Sequence, residues 1–148
     1  MTVTTSTESL TRSAARLRLA ITRTARRLRQ EAAGELTPTS GAALATVERH
    51  GPLTPSELAE IERIKRPTAT RSLRCLEEAG LVQRTPDPSD GRSALVSITA
   101  AGRERLRSLR GRKNAYLAKR MRPLSEEDLA TLERAAEILE RLEEGERA

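Results

Sequence analysis

The sequence predicts a mainly helical fold in which a small central head of short helices carries one two-stranded β-hairpin and longer helices flank it on both sides. Three observations predict this. Apolar residues recur at spacings of three and four through most of the chain, the mark of helices with one buried face. That pattern breaks once, at residues 81–98, where two short β-prone runs enclose a stretch rich in turn formers. The chain is 148 residues long, which suits one domain with appended helices.

Taken in order, residues 8–33 read as one long helix. Leu10, Ala14, Leu17, Ile21 and Leu28 form a narrow apolar stripe of the kind that pairs helices, and Gly34 stops it. Thr37 or Thr39 can cap a second helix with Pro38 near its start. Ala42, Leu44, Ala45 and Val47 supply its apolar side, and His50-Gly51-Pro52 ends it. Leu53-Thr54-Pro55-Ser56 opens a short helix with Leu58, Ala59 and Ile61 as its apolar residues. A turn through residues 62–65 leads to a helix from Arg66 to Ala79, with Ala69, Leu73 and Leu76 on one side and Gly80 as its stop. Residues 81–84 and 94–98 are the two strands, joined by a loop over 85–93. Thr99 caps a long helix to about residue 121. Pro123-Leu124-Ser125 breaks it, and Ser125 with Asp128 has the form of a cap for a last helix bearing Leu129, Leu132, Ala136, Leu139 and Leu142. The corresponding division is 1–34 for an N-terminal dimerisation helix, 35–100 for the head and 101–148 for C-terminal dimerisation helices.

Composition narrows the function. Tyr116 is the only aromatic residue, so the core must be built from Leu, Ile, Val and Ala. A chain so thin in large apolar groups gains from burying further surface in a partner subunit. Net charge is +6 and the sequence pI about 10.6, which favours a polyanionic partner. The charge is uneven. Residues 63–74 hold Arg63, Lys65, Arg66, Arg71 and Arg74 and no acid, whereas residues 126–148 hold nine acids against three arginines, a net of −6. One cysteine and one histidine, Cys75 and His50, allow neither an internal disulfide nor a zinc finger. No metal or cofactor is expected. No nucleophile–base pair or glycine-rich phosphate loop is visible, so the chain does not read as an enzyme. With no membrane-length apolar run and no signal-peptide pattern, it reads as a cytoplasmic protein with no membrane partner.

The centre is the informative part. A short helix, a tight turn and a second helix make a helix-turn-helix, and the hairpin that follows makes a winged one. The second helix of such a unit lies in the major groove of duplex DNA and reads base edges with its early residues. Its outer residues here are Arg66, Thr68, Thr70, Arg71 and Arg74, and Pro67 suits the first turn, where a missing N–H costs nothing. Arg92, at the hairpin tip, can reach a minor groove, where narrow walls concentrate negative potential. Asp90 can hold its guanidinium in a bidentate pair. Cys75 reads as a small core or half-buried residue. The basic face could also serve an RNA-binding or adaptor winged helix.

Residues 53–102 resemble the multiple-antibiotic-resistance-regulator (MarR) family. The resemblance is carried by Leu-Thr-Pro-Ser-Glu-Leu-Ala-Glu, Arg-Pro-Thr-Ala-Thr-Arg-Ser-Leu, Leu-Glu-Glu-Ala-Gly-Leu-Val, Asp-Pro-Ser-Asp-Gly-Arg-Ser and Ile-Thr-Ala-Ala-Gly. It implies a homodimer whose first, fifth and sixth helices form the interface, binding double-stranded DNA at a palindromic operator, usually as a repressor. Carried onto this chain, the DNA contacts fall on Arg66, Pro67, Thr68, Thr70, Arg71, Arg74, Asp90 and Arg92. It also implies release by a small anionic, often phenolic, ligand. Two positions depart from the family pattern: Ser89 stands where a further arginine is common, and Arg63 where glycine is common.

Overall fold

The computed structural model describes residues 7–34 and 36–145. Six helices and one hairpin follow in the order α1 (Thr7–Glu31), α2 (Pro38–His50), α3 (Pro55–Glu62), α4 (Arg66–Glu78), β1 (Val82–Asp87), β2 (Asp90–Ile98), α5 (Ala100–Met121) and α6 (Glu126–Glu144). The chain forms two compact units, Met1–Lys113 and Asn114–Ala148.

In the first unit, capping fixes the helix starts. The Thr37 hydroxyl accepts from the Ser40 N–H at 3.2 Å and the Thr54 hydroxyl from the Glu57 N–H at 3.2 Å, each satisfying a donor that the first turn leaves unpaired. Of the two threonines that could cap α2, Thr37 does so. The core is aliphatic. Leu44, Leu53, Leu58, Leu73, Leu76, Val47 and Val96 are fully buried, joined by Ala43 and Ala69. On α2 the buried alanine is Ala43, not Ala42, which is exposed, and Ile61 on α3 is 45% exposed. Thr46 is buried and donates its hydroxyl to Glu62, tying α2 to the end of α3.

The hairpin is longer than its β-prone residues suggest, because most of the expected loop over 85–93 falls within the two strands. Pro86 sits opposite Ala94. In a two-stranded ribbon each strand is an edge, so a residue without an N–H can face outward at no cost to the ladder. The turn shrinks to Pro88 and Ser89. Asp87 closes it by accepting the Ser89 N–H at 2.9 Å and the Ser89 hydroxyl at 2.7 Å. Those two bonds hold the Asp87 carboxyl below its ordinary pKa. The register runs regularly from Val82 opposite Ile98 to Pro86 opposite Ala94, then jumps to Asp87 opposite Asp90. Gly91, Arg92 and Ser93 are thereby left out of register, a bulge that re-aims the tip.

Three attachments hold the hairpin's root. Leu53 and Val96 exchange backbone hydrogen bonds of 3.0 and 2.7 Å, a stub of third strand. Thr99 donates its N–H to the Leu81 carbonyl at 3.1 Å and its hydroxyl to the Gly80 carbonyl at 2.7 Å, while its oxygen caps α5 through the Gly102 N–H at 3.1 Å. Gly102 is required there: a Cβ would lie 2.2 Å from the Leu81 carbonyl oxygen.

The second unit holds the end of α5 and all of α6, whose Ser125 accepts the Asp128 N–H at 3.1 Å as the sequence suggests. No residue of α6 is buried, and none of α1 in the first unit is either. No described helix is long and apolar enough to cross a membrane.

Candidate nucleic-acid interface

α4 lies against α2 and α3 through Ala69, Ser72, Leu73 and Leu76, all buried. Ala69 lacks a side chain beyond Cβ, so the helices approach closely at that point. Pro67 falls in the first turn. The helix ends at Gly80, whose positive φ of 73° supplies the left-handed residue, and the Leu81 N–H returns to the Leu76 carbonyl at 2.9 Å. The entry differs: Lys65 caps α4 with no side-chain hydrogen bond. A cation and an uncapped helix start therefore stand together, and both favour an anion.

With one side of α4 committed to the core, Arg66, Pro67, Thr70, Arg71 and Arg74 converge on the opposite side and line one open surface hollow. Thr68 is half-buried and does not line it. Among the described residues no carboxylate lies within ion-pair reach of Arg66, Arg71 or Arg74, whereas Arg84 is engaged by Glu77 at 2.8 Å and Arg110 by Glu48 at 2.9 Å. The charge of the three α4 arginines is thus not balanced by an ion pair among the described residues. Cys75, expected in the core or half-buried, is exposed on α4. It falls two positions beyond Leu73, off the side that Ala69, Leu73 and Leu76 bury.

Arg63 sits just before this helix with φ 52° and ψ 44°. Left-handed backbone at a residue with a Cβ costs about 1–2 kcal/mol. The turn it makes lets the Ile64 N–H bond the Ala59 carbonyl at 3.0 Å, closing α3 with a conformation glycine would adopt without strain.

At the hairpin tip Arg92 is exposed, and Asp90 shapes its setting by a different route from the one expected. The Asp90 carboxylate accepts the Arg92 backbone N–H at 3.0 Å and the Ser93 hydroxyl at 3.4 Å. No ion pair with the Arg92 guanidinium forms among the described residues. A short Asp side chain reaches the backbone two residues on more readily than the end of a long arginine. The carboxylate thereby shapes the bulge and leaves the guanidinium unengaged by it. Thr99 is legible as a cap and Gly102 as a glycine in the first turn of a helix, but their contacts with Gly80 and Leu81, and the Leu53–Val96 bridge, have no clear signal in the sequence.

A second hollow of about 350 Å³ lies between the α1–α2 connection and α5, lined by Gly34, Leu36, Arg105, Leu109 and Arg112. Two arginines over an aliphatic wall suit a small organic anion. Among the described residues no group of three or more His, Cys, Asp or Glu side chains is placed to hold a metal ion.

Comparison with known proteins agrees with this geometry. The profile of the MarR family matches residues 36–94. The HTH-type transcriptional regulator Mb0904 of Mycobacterium bovis is 34% identical over 133 residues, covering 89% of this chain and 93% of that protein. A crystal structure of a Pseudomonas aeruginosa protein described as a transcriptional regulator superposes with a TM-score of 0.83 at 35% identity, covering 93% of this chain and 96% of the other. The fold is shared with a single-residue mutant of Staphylococcus aureus MepR bound to an oligodeoxyribonucleotide, at a TM-score of 0.67, 21% identity and coverage of 88% and 97%.

Proposed function

The chain belongs to the MarR family of DNA-binding transcriptional regulators, and on that premise we propose that it is a homodimeric repressor that grips a palindromic operator with two copies of α4 and two hairpin tips. The observation that carries this is the convergence of five α4 side chains on one exposed hollow whose three arginines have no carboxylate of their own among the described residues. In this reading Arg66, Lys65 and the start of α4 hold phosphates, displacing condensed cations. Thr68, Thr70, Arg71 and Arg74 face base edges, with Pro67 setting the first turn between them. Arg92 enters the minor groove from a bulge shaped by Asp90. Residues 35–100 read DNA, and 1–34 with 101–148 assemble the dimer through the exposed apolar residues of α1 and α6. Twofold symmetry then places half-sites about one helical turn, roughly 10 base pairs, apart. A small anion, phenolic acids being the natural probes, enters the Arg105–Arg112 hollow and releases the operator.

The direct test replaces Arg71 and Arg92 separately with alanine. Arg71→Ala costs about 1–3 kcal/mol on the preferred duplex and relaxes base preference. Arg92→Ala weakens binding most on sites with A/T-rich flanks. Equal losses on every duplex would reduce both residues to phosphate contacts and reject the assignment. Structured RNA offered in competition should leave duplex binding intact. With Tyr116 as the only aromatic residue, the chain lacks the stacking platform that single strands require.

A further inference from the structure

α1 carries a second cationic surface that the operator contacts do not use. The helix holds seven arginines against Glu8 and Glu31. At about 100° per residue, Arg12, Arg16, Arg23, Arg26 and Arg27 fall within a sector roughly 100° wide. That sector lies opposite Leu10, Ala14, Leu17, Ile21 and Leu28. Along the axis the stripe runs about 22 Å from Arg12 to Arg27 at 1.5 Å per residue. Arg12, Arg16, Arg23, Arg26 and Arg27 are all exposed. Arg12 and Arg27 have carboxylates one turn away, Glu8 at 3.8 Å and Glu31 at 3.5 Å. Arg16, Arg23 and Arg26 have no ion pair among the described residues.

We propose that this stripe is a sequence-independent second binding surface for duplex DNA, distinct from the operator-reading surface, so that a regulator seated on one duplex captures another. Three observations favour that partner over a protein. The stripe contains one apolar residue, Leu19, whereas a protein-binding patch has an apolar or aromatic centre depleted of charge. Its cations are all arginine and lie along a straight line, matching a rod that presents one negative charge per ~1.7 Å. It also lies on the side of α1 away from the apolar residues, so a second copy covering those residues leaves the arginines facing outward. The two surfaces share no residue: none of the stripe arginines lines the α4 hollow, and α1 contributes no buried residue to the core that α4 and the hairpin share.

The test saturates the full chain with its selected duplex carrying a donor dye, then adds an acceptor-labelled duplex of unrelated sequence at low salt. The natural chain should give energy transfer that fades with added salt. The triple variant Arg16→Gln, Arg23→Gln, Arg26→Gln, which keeps good helix formers, should hold the selected duplex within about twofold. It should capture the unrelated duplex at least about tenfold more weakly, with a log–log salt slope shallower by about two to three. Arg71→Ala, impaired at the reading surface, should still capture the unrelated duplex, so the stripe is tested even if the operator reading fails. Undiminished capture by the triple variant overturns the proposal. Parallel loss of both duplexes overturns it by making the stripe part of the operator contact. Salt-sensitive self-association without DNA, abolished in the triple variant, overturns it in favour of an acidic surface on another copy.

Discussion

The reading head and the terminal helices solve the burial problem in opposite ways. In the head, α2, α3, α4 and the hairpin enclose fully buried Leu44, Leu53, Leu58, Leu73, Leu76 and Val96 without an aromatic side chain among them. In α1 and α6 no residue is buried at all, although Leu17 and Ile21 on α1, and Leu132 and Leu139 on α6, recur at helical spacing. Exposed leucines scattered singly are ordinary, but a continuous stripe along a long helix is not. The head is therefore a fold complete within one chain. Each terminal helix carries an apolar face whose burial has to come from elsewhere, and a second copy is the proposed source.

Substitutions in the two regions should have different consequences. The largest effect is expected in the head: Leu73→Ala removes a fully buried side chain and costs about 2–5 kcal/mol. This loss should be the same at every protein concentration when followed by denaturant unfolding. Leu17→Gln with Ile21→Gln on α1 should act differently, lowering the unfolding midpoint more as the protein is diluted, because a dimer's stability depends on mass action. A concentration-independent loss would place those residues inside the subunit's own fold. Arg63→Gly is expected to stabilise by about 1 kcal/mol by relieving the left-handed strain. Operator affinity measured in parallel shows whether the arginine also holds a phosphate.

The smallest effect concerns the hairpin tip. Asp87 has a lowered pKa in the folded chain, so its contribution is present above the ordinary carboxylate value and fades as pH falls through the lowered one. The Ser89 amide resonance should therefore titrate with a midpoint below the ordinary value of 3.8. A midpoint at or above that value would mean the turn is not held by the charged carboxylate.

Much of this is legible in the sequence because the signals are local. Thr54, Ser125 and Gly80 mark helix ends by chemistry that acts within three or four residues. The Ala69, Leu73, Leu76 spacing identifies the inner side of α4 and so, by exclusion, its outer one. The parts that cannot be read are non-local or depend on geometry between strands. The Leu53–Val96 bridge joins residues far apart in sequence. The fit of Gly102 beneath Leu81 exists only once α5 meets the hairpin root. Pro86 and the turn formers around it look like loop, because edge position in a ribbon cannot be read from residue type. Asp90 does shape the tip, yet its bonds go to the backbone and to Ser93 rather than to the guanidinium. Cys75 lies outside the core because a small apolar-like residue on a half-buried helix carries no directional signal of its own, and its neighbours' spacing decides its side.

The decisive measurement is selection of bound duplexes from a random DNA library by the full-length chain, with the mass of the resulting complex taken by sedimentation. An inverted repeat with half-sites about one helical turn apart and two chains on each duplex is the expected result. A single unrepeated motif occupied by one chain would contradict it.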